Sequence, residues 1–554
     1  MRYCYRIAIA GLLFLAVSAV DAHATTYYKR DTNPTNNNWN QNDNWSTVSS
    51  ASSTNTGTFP IAGDTALFDA GSIQCTINTA SAVAILDATG YTNTLTQSAN
   101  FTTTSTVTLV AGMTFTYTSG TWTHNGTATI TTGGKAFGAV TFNSAAATVT
   151  LADDMNVDGT LTISAATTVN GGAGIDILAS GSVTVNAALS GTTTLVFDGT
   201  GTWSGGANKV LSLNTTINTA GTITCSGDFH YNTGTLTYTA GTMSMGTSRI
   251  IFWGSCTLNT SGMSWYSFYV YQAATITLTS DLNVDGIFTN AAVSTFNGAF
   301  NVKPSLTFTV SSNMSGTASI VLDGTGTWSG AGQIANNLTI NSAGTVTASG
   351  TIYYKTGTLT VTSGLSSGTS TLTLPNTCTL TGGTWNNVST TTAGTCTLGA
   401  ALDVNGVLNI GASTILDCAG YQLNVAGNFT RTGTFTHGNN TTVFDGTSTI
   451  AGAATFYNLT LATGSTTHLT STQTFTVSGT FNATGAGITL DAVTGGSRAL
   501  LPVTTLGTVD HVTATDIDSS GGVAIVNTSG TLSNTVNWTT PPAIPKTQVY
   551  IIDL

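Results

Sequence analysis

The segment Val321-Leu-Asp-Gly-Thr-Gly-Thr-Trp-Ser-Gly330 recurs along this 554-residue chain and decides its fold class. A near copy begins at Val196 and a shorter copy, Val-Phe-Asp-Gly-Thr, begins at Val443, so the starts lie 125 and 122 residues apart. A second phrase recurs at similar intervals: Asn156–Gly159, Asn283–Gly286 and Asp403–Gly406. Self-similarity at a nearly fixed period is typical of a repeat architecture.

The composition favours strands over helices. Charged residues make up 6% of the chain, all 23 acidic residues are Asp, and Lys and Arg together number 12. Glu, Lys and Arg are good helix formers, so their scarcity beside abundant Thr, Val and Gly indicates β-strands joined by turns. A hydrophobic content of 40% argues against disorder, because the chain has apolar surface to bury.

Short segments alternate Thr or Ser with an apolar residue, as in Thr160–Ile163, Thr235–Tyr238 and Thr358–Val361. Period two places one face inward and one outward. A string of β-sandwich modules would need Pro-bearing linkers, but the chain has only 8 Pro, of which three lie between Pro541 and Pro545. The sequence therefore predicts an all-β fold, an elongated parallel β-solenoid (β-helix) built from internal repeats of about 120–127 residues.

The two ends of the chain differ from the repeat array. Residues 1–24 are typical of a signal peptide, with Arg2 and Arg6 before an apolar run and Ala22-His23-Ala24 as the cleavage site. We therefore expect an exported bacterial protein with no transmembrane span in the mature chain. The predicted organisation continues with a polar N-terminal leader or cap (25–60), the β-solenoid repeat array (61–540) and a C-terminal tail (541–554). Trp538 is expected to cover the last coil.

The chain resembles bacterial secreted β-strand-repeat proteins. The resemblance is carried by Asn44-Trp45 with Pro60–Asp69, by the recurrent Asp-Gly phrases, and by Asp516–Ser520 with Asn537-Trp538. It is similar to the parallel β-helix passengers of autotransporters and to filamentous-haemagglutinin-type adhesins. The resemblance implies a structural or adhesive role at the cell surface.

Six cysteines follow the predicted cleavage site, and three of them suggest stacking. Cys378, Cys396 and Cys418 lie 18 and 22 residues apart, which is close to one solenoid coil. Adjacent coils would bring their Cα atoms within disulfide range, and export permits oxidation. The alternative is a ladder of buried thiols, which we favour because side chains in register rarely present the Cβ geometry that a disulfide needs.

No cofactor is expected, although one segment matches a calcium-binding pattern. Gly171–Leu178 fits Gly-Gly-x-Gly-x-Asp-x-apolar, with Asp176 as the carboxylate ligand. Such sites share ions between tandem copies, and here there is one copy, so a chance match is favoured. The acidic pairs Asp153-Asp154 and Asp516-x-Asp518 are expected to cap turns, as are the Asp residues of the recurrent Asp-Gly phrases.

Aromatic residues provide the candidate binding site. The densest group follows Trp253, and its candidate glycan-binding members are Trp265, Tyr266, Phe268, Tyr269 and Tyr271. Exposed aromatic faces can stack on sugar rings. The alternative is core stacking between coils, which the repeat-equivalent Trp203 and Trp328 favour.

The predicted function is that of a secreted or cell-surface structural or adhesion protein, contacting glycans or other cells. A net charge of −11, spread thinly, argues against nucleic acid as a partner. One alternative is a β-helix polysaccharide lyase or glycoside hydrolase, which would gather Asp, Lys or Arg side chains in one groove; an enzyme is disfavoured because these residues are scattered. A second alternative is ice binding through Thr-x-Thr arrays. The oligomeric state is not predicted.

Overall fold

The computed structural model describes residues 24–31, 36–205, 210–260 and 263–542. The predicted signal peptide and C-terminal tail lie almost entirely outside these ranges. The described residues form 66 strands and one 3-10 helix, Asn42–Asn44. None of their helices is long and apolar enough to cross a membrane.

Strands pair mainly in parallel with strands about one coil further along the chain. Thr194–Phe197, for example, pairs with the start of Thr215–Ser226, which pairs in turn with Phe229–Ser244. The strands stack into a β-solenoid of about 23 turns, so the predicted all-β parallel solenoid is confirmed. The alternation of Thr with apolar residues explains this fold, because each coil turns its apolar residues inward.

The chain divides into two compact units. The first comprises Met1–Gly159 with Ala165–Ile175, and the second comprises Thr160–Ser164 with Asp176–Leu554. Each unit has its own succession of stacked parallel strands.

In the first unit, an aromatic cluster covers the first coil. Thr26–Lys29 pairs antiparallel with Trp45–Ser46 and parallel with Thr65–Leu67. Trp39 and Trp45 are fully buried, with ring centroids 4.8 Å apart. The Trp39 ring also contacts those of Phe68 and Phe101, and the Trp45 ring contacts that of Phe68. The Asn-rich leader is therefore anchored by two tryptophans that exclude water from the start of the core.

In the second unit, one row of large apolar side chains runs through six successive coils. The row consists of Phe229, Ile250, Phe268, Phe288, Phe308 and Trp328. The strands that carry it are Phe229–Ser244, Arg249–Phe252, Ser264–Val270, Leu282–Asn290, Thr307–Val310 and Gly326–Ser329. Phe268 and Phe288 stack with ring planes 2° apart. This row, which we call the core row, gives the outward face of these strands a rigid support.

Asparagines at the turns hold neighbouring coils in register. Their side-chain Oδ1 atoms accept backbone N–H groups about one coil away: Asn214 from Thr235 (2.9 Å), Asn337 from Thr358 (3.0 Å), Asn387 from Val407 (2.7 Å) and Asn458 from Thr480 (2.9 Å). Three of these amides lie within strands, and the fourth, that of Val407, directly precedes a strand, so each bond gives a main-chain N–H an acceptor on the neighbouring coil. The frequent Asn before a strand is therefore a register-setting residue as well as a turn former.

The recurrent glycines are required by close packing between coils. A Cβ atom on Gly199, Gly324 or Gly326 would lie 2.0, 1.9 or 1.4 Å from a carbonyl oxygen of the preceding coil. None of these glycines has a positive φ. The Asp-Gly phrase therefore recurs because no side chain fits at its glycine, and the expectation of turn chemistry alone was incomplete.

Trp538 lies near the end of the described chain and is buried. Its Nε1–H donates to Ser519 Oγ at 2.9 Å, and its ring lies 6.4 Å from that of Phe481. This placement agrees with a role in covering the final coils.

Lys29 is the most unusual side chain of the first unit. It is fully buried, and its Nζ has no hydrogen-bond partner among the described residues. Burial lowers the pKa of Lys29 below its ordinary 10.5, while the nearby Cys75 opposes this shift. The unfolded chain therefore binds the Lys29 proton more tightly than the folded chain. This contribution makes stability rise with pH up to about 10.5.

We expect Lys29→Met to stabilise the first unit by about 1–3 kcal/mol at pH 6–7, because it removes a buried polar group that lacks a partner. The advantage over the unsubstituted chain should shrink as pH rises toward 10.5. Calorimetric melting at several pH values measures both effects. Lys135→Met is the control, since Lys135 Nζ is bonded to Ala111 O at an exposed position of the same unit. A lower melting temperature for Lys29→Met would contradict the prediction.

Candidate binding surface

Three neighbouring strands of the second unit build an aromatic surface. His230, Ile251 and Tyr269 lie opposite one another on Phe229–Ser244, Arg249–Phe252 and Ser264–Val270. Because side chains alternate along a strand, they lie on the opposite face of the sheet from the core row. Tyr269 is half-buried there, whereas His230 and Ile251 are each only 6% exposed. Trp253 and Tyr271 directly follow the second and third strands. We call the four residues His230, Trp253, Tyr269 and Tyr271 the aromatic patch.

The rings of the aromatic patch are close together. Trp253 and Tyr271 have centroids 4.5 Å apart and planes inclined by 35°, and Tyr269 lies 6.2 Å from Tyr271. Tyr271 is 50% exposed. These rings line a shallow cleft of about 280 Å³, together with Ile251 and two charged residues. The patch therefore offers an apolar platform that water can reach.

His230 fixes the orientation of Trp253. The indole Nε1–H can only donate, and it lies 2.5 Å from His230 Nδ1, so this nitrogen must accept. Burial lowers the pKa of His230, although the charge of Asp228 acts in the opposite direction. His230 is therefore neutral near pH 7, as the hydrogen bond to Trp253 requires. Protonation of Nδ1 below pH 6.5 would remove the acceptor.

A paired arginine and aspartate form the polar edge of the cleft. Arg249 Nε lies 2.9 Å from Asp228 Oδ1, and Arg249 Nη2 lies 2.5 Å from Asp228 Oδ2. The Arg249 guanidinium lowers the pKa of Asp228, so the carboxylate is ionised at neutral pH. This two-bond geometry balances the two charges. The pair can still offer hydrogen bonds from its outer N–H groups and lone pairs.

The structure separates the five aromatic residues that the sequence grouped together. Trp265 and Phe268 are buried, which matches the core-stacking alternative and removes them from any surface site. Tyr266 is 38% exposed but lines a different hollow, of about 480 Å³, with Met263 and Asp285. Tyr269 and Tyr271 belong to the aromatic patch. Of the five predicted glycan-binding residues, Tyr269 and Tyr271 are therefore the two that lie at the cleft.

Sequence reasoning did not identify His230, Asp228 and Arg249 as parts of this surface. A shift of register between Trp265 and Ser267 changes which side chains of that strand face outward, and plain alternation does not predict it. The spacing of 23 residues between His230 and Trp253 is close to one coil, so the sequence alone could have indicated that these two residues lie on neighbouring coils.

The three cysteines predicted to stack do not all lie in register. Cys378 and Cys396 lie directly opposite each other on adjacent strands, whereas Cys396 faces Leu416 on the next strand, so Cys418 is outside this pair. All six cysteines among the described residues are buried free thiols. Burial raises the pKa of Cys418 to about 12. The arrangement is a stacked pair of thiols, with a third thiol off register.

The acidic pairs bind the protein's own backbone. Asp153 accepts N–H groups of Thr132 (2.6 Å) and Gly133 (2.7 Å). Asp516 accepts the N–H of Gly496 at 2.9 Å, and Asp518 accepts that of Ser520 at 2.8 Å. These carboxylates act as backbone caps, as expected.

Asp176 begins the strand Asp176–Ala179. Across the described ranges, no three or more His, Cys, Asp or Glu side chains gather in a way that could hold a metal ion. The calcium pattern at Asp176 stays a prediction.

The basic side chains with assigned partners are dispersed. Lys303 pairs with Asp281 at 2.5 Å, whereas Arg431 donates to Gly433 O at 3.0 Å and Arg498 to Asn534 O at 2.8 Å. Each therefore has a separate structural partner.

Comparison of the chain with protein-family models, curated proteins and solved structures gives no significant match. Its function must be inferred from its own geometry.

Proposed function

We propose that this protein is a secreted or cell-surface structural and adhesion solenoid of bacterial origin that binds glycans through the aromatic patch. The observation that carries the proposal is the pair of rings formed by half-buried Trp253 and exposed Tyr271, with centroids 4.5 Å apart beside the Asp228–Arg249 pair. The apolar face of a sugar ring can stack on such a platform while its hydroxyl groups bond to the polar edge. The predicted signal peptide and the resemblance to adhesins support this proposal.

A structural and binding role is favoured over a lyase or hydrolase. An enzyme of either kind needs an acid, a base or a bound cation placed against the same sugar. In the cleft, the one carboxylate, Asp228, is already held by Arg249 with two bonds. The acidic pairs of the described chain cap backbone amides elsewhere.

Ice binding is a second candidate, favoured by threonines in register on another sheet of the second unit. Thr235, Thr257 and Thr277 lie opposite one another on consecutive strands, and Thr275 lies opposite Thr295. Thermal hysteresis of the purified protein, compared with a Thr257→Tyr variant, tests this candidate. Equal freezing behaviour for both would exclude it.

The glycan proposal predicts retention without cleavage. Purified mature protein is incubated with neutral and acidic polysaccharides, and both retention and release of shortened product are measured. We expect retention without product, and at least about thirtyfold weaker binding for Trp253→Ala, as for an interface hot spot. Tyr421→Ala is the control, because Tyr421 is an exposed tyrosine outside the cleft.

Three results would overturn the proposal. Release of product from any polysaccharide would establish an enzyme. Retention that is lost equally in Trp253→Ala and Tyr421→Ala, or no retention at all, would show that the aromatic patch is not a glycan site. Circular dichroism of each variant confirms that the fold persists.

A further inference from the structure

The outward face beside the aromatic patch continues as ordered columns of hydroxyl groups. The column of His230, Ile251 and Tyr269 extends in register through Thr289, Thr309 and Ser329. A neighbouring column contains Thr307, Thr327 and Thr347. We call these six hydroxyl residues, Thr289, Thr307, Thr309, Thr327, Ser329 and Thr347, the hydroxyl track.

The hydroxyl track is accessible and rigidly supported. Thr327 and Thr347 are exposed, and the other four residues are half-buried. Thr309 Oγ1 and Ser329 Oγ lie 3.3 Å apart, so one hydroxyl group can donate a hydrogen bond to the other between coils. Directly beneath are the buried side chains of the core row, including Phe308 and Trp328. Little ordering of the protein is therefore required when a ligand binds.

The dimensions of this face suit a polymer. Six stacked strands carry the column from His230 to Ser329, and adjacent parallel strands lie about 4.8 Å apart. The face therefore extends roughly 24 Å across the strands. A single sugar ring would cover only the aromatic patch, whereas a chain of sugars would meet further hydroxyl groups at every coil.

The charge of this face points to a neutral ligand. The hydroxyl track contains only Thr and Ser, and Arg249 at the cleft is bonded twice to Asp228. A uronate would have to compete with Asp228 for the guanidinium and would meet an ionised carboxylate. Neutral hydroxyl groups can instead bond to the outer atoms of the pair without separating it.

We propose that the aromatic patch and the hydroxyl track bind one extended, neutral polysaccharide chain that runs across the strands. One sugar ring stacks on Trp253 and Tyr271, and the following sugars bond to the hydroxyl track. This inference rests on the proposed glycan-binding function, and it adds the polymeric length, the direction and the neutrality of the ligand.

The test is the dependence of affinity on ligand length. Glycan arrays carry β-1,4-glucose, β-1,4-mannose and β-1,4-galactose oligomers of two and six units, with galacturonate oligomers of the same lengths. We expect at least one neutral series to bind about tenfold more tightly at six units than at two, and more tightly than galacturonate. Equal affinity for both lengths, or preference for galacturonate, would overturn the inference while leaving glycan binding intact. Binding to no series would instead overturn the proposed function, and the inference with it.

Substitutions test whether the hydroxyl track provides the tighter binding of six-unit oligomers. Thr309→Val and Thr327→Val remove a hydroxyl group with little change in shape, and each should weaken six-unit binding about fivefold without affecting two-unit binding. Trp253→Ala should weaken both lengths. Thr379→Val is the control, since Thr379 lies in register with Thr358 and Thr397 on strands that carry no part of the hydroxyl track. Equal effects of Thr327→Val and Thr379→Val would contradict the inference.

Discussion

Replacing Gly326 with alanine is expected to lower the free energy of unfolding around its coil by about 3 kcal/mol or more. The new Cβ would lie 1.4 Å from Leu306 O and 2.2 Å from Leu306 C. Both atoms belong to the backbone of the preceding coil, so no side-chain rotation relieves the overlap. The coils must separate, and the ladder bonds between Thr307–Val310 and Gly326–Ser329 must weaken.

Hydrogen exchange is the sharpest measurement for Gly326→Ala, because a solenoid can open at one interface between coils without unfolding elsewhere. Exchange should accelerate in these two strands, and the melting temperature should fall. Gly495→Ala is the matched control, because a Cβ atom added at Gly495 would have no atom within 4 Å and the φ of this residue is not positive. Unchanged exchange at both sites would contradict close coil packing as the reason for the recurrent glycine.

Phe288→Ala is expected to destabilise the second unit by about 3–5 kcal/mol. Phe288 is fully buried in the core row, with its ring centroid 5.4 Å from that of Phe268 and 5.3 Å from that of Phe308. The backbone ladder on both sides limits collapse around the missing ring, so a cavity remains. Because Tyr269 and Thr289 are outward neighbours of this row, binding to the aromatic patch should weaken as well.

Denaturant unfolding monitored by circular dichroism measures the loss in Phe288→Ala. Phe300→Ala is the control for the same chemical change, since Phe300 is 38% exposed and should contribute about 1 kcal/mol or less. If the two variants unfold at the same denaturant concentration, the core row does not provide the stability that its burial indicates.

The fold class could be predicted from local patterns because a solenoid repeats the same local environment in every coil. Alternating Thr and apolar residues specify the inner and outer faces, and the scarcity of Glu, Lys and Arg disfavours helices. The Val-Phe-Asp-Gly and Val-Leu-Asp-Gly phrases marked the repeat correctly. The reason that these phrases require glycine appears only when the coils are stacked, because a carbonyl oxygen of the preceding coil then lies about 2 Å from any added Cβ atom.

The binding surface depended on information that local patterns do not contain. Coil length varies: Ile251 follows its register partner His230 by 21 residues, and Tyr269 follows Ile251 by 18. A register shift at Trp265 then decides which aromatic side chains face water. The sequence by itself determined that this protein is a parallel β-solenoid, because strand alternation and turn residues act locally. Only the tertiary structure decided which residues share a surface, because this depends on the pairing register between successive coils. A shift of one residue in that register exchanges the inner and outer faces of a strand.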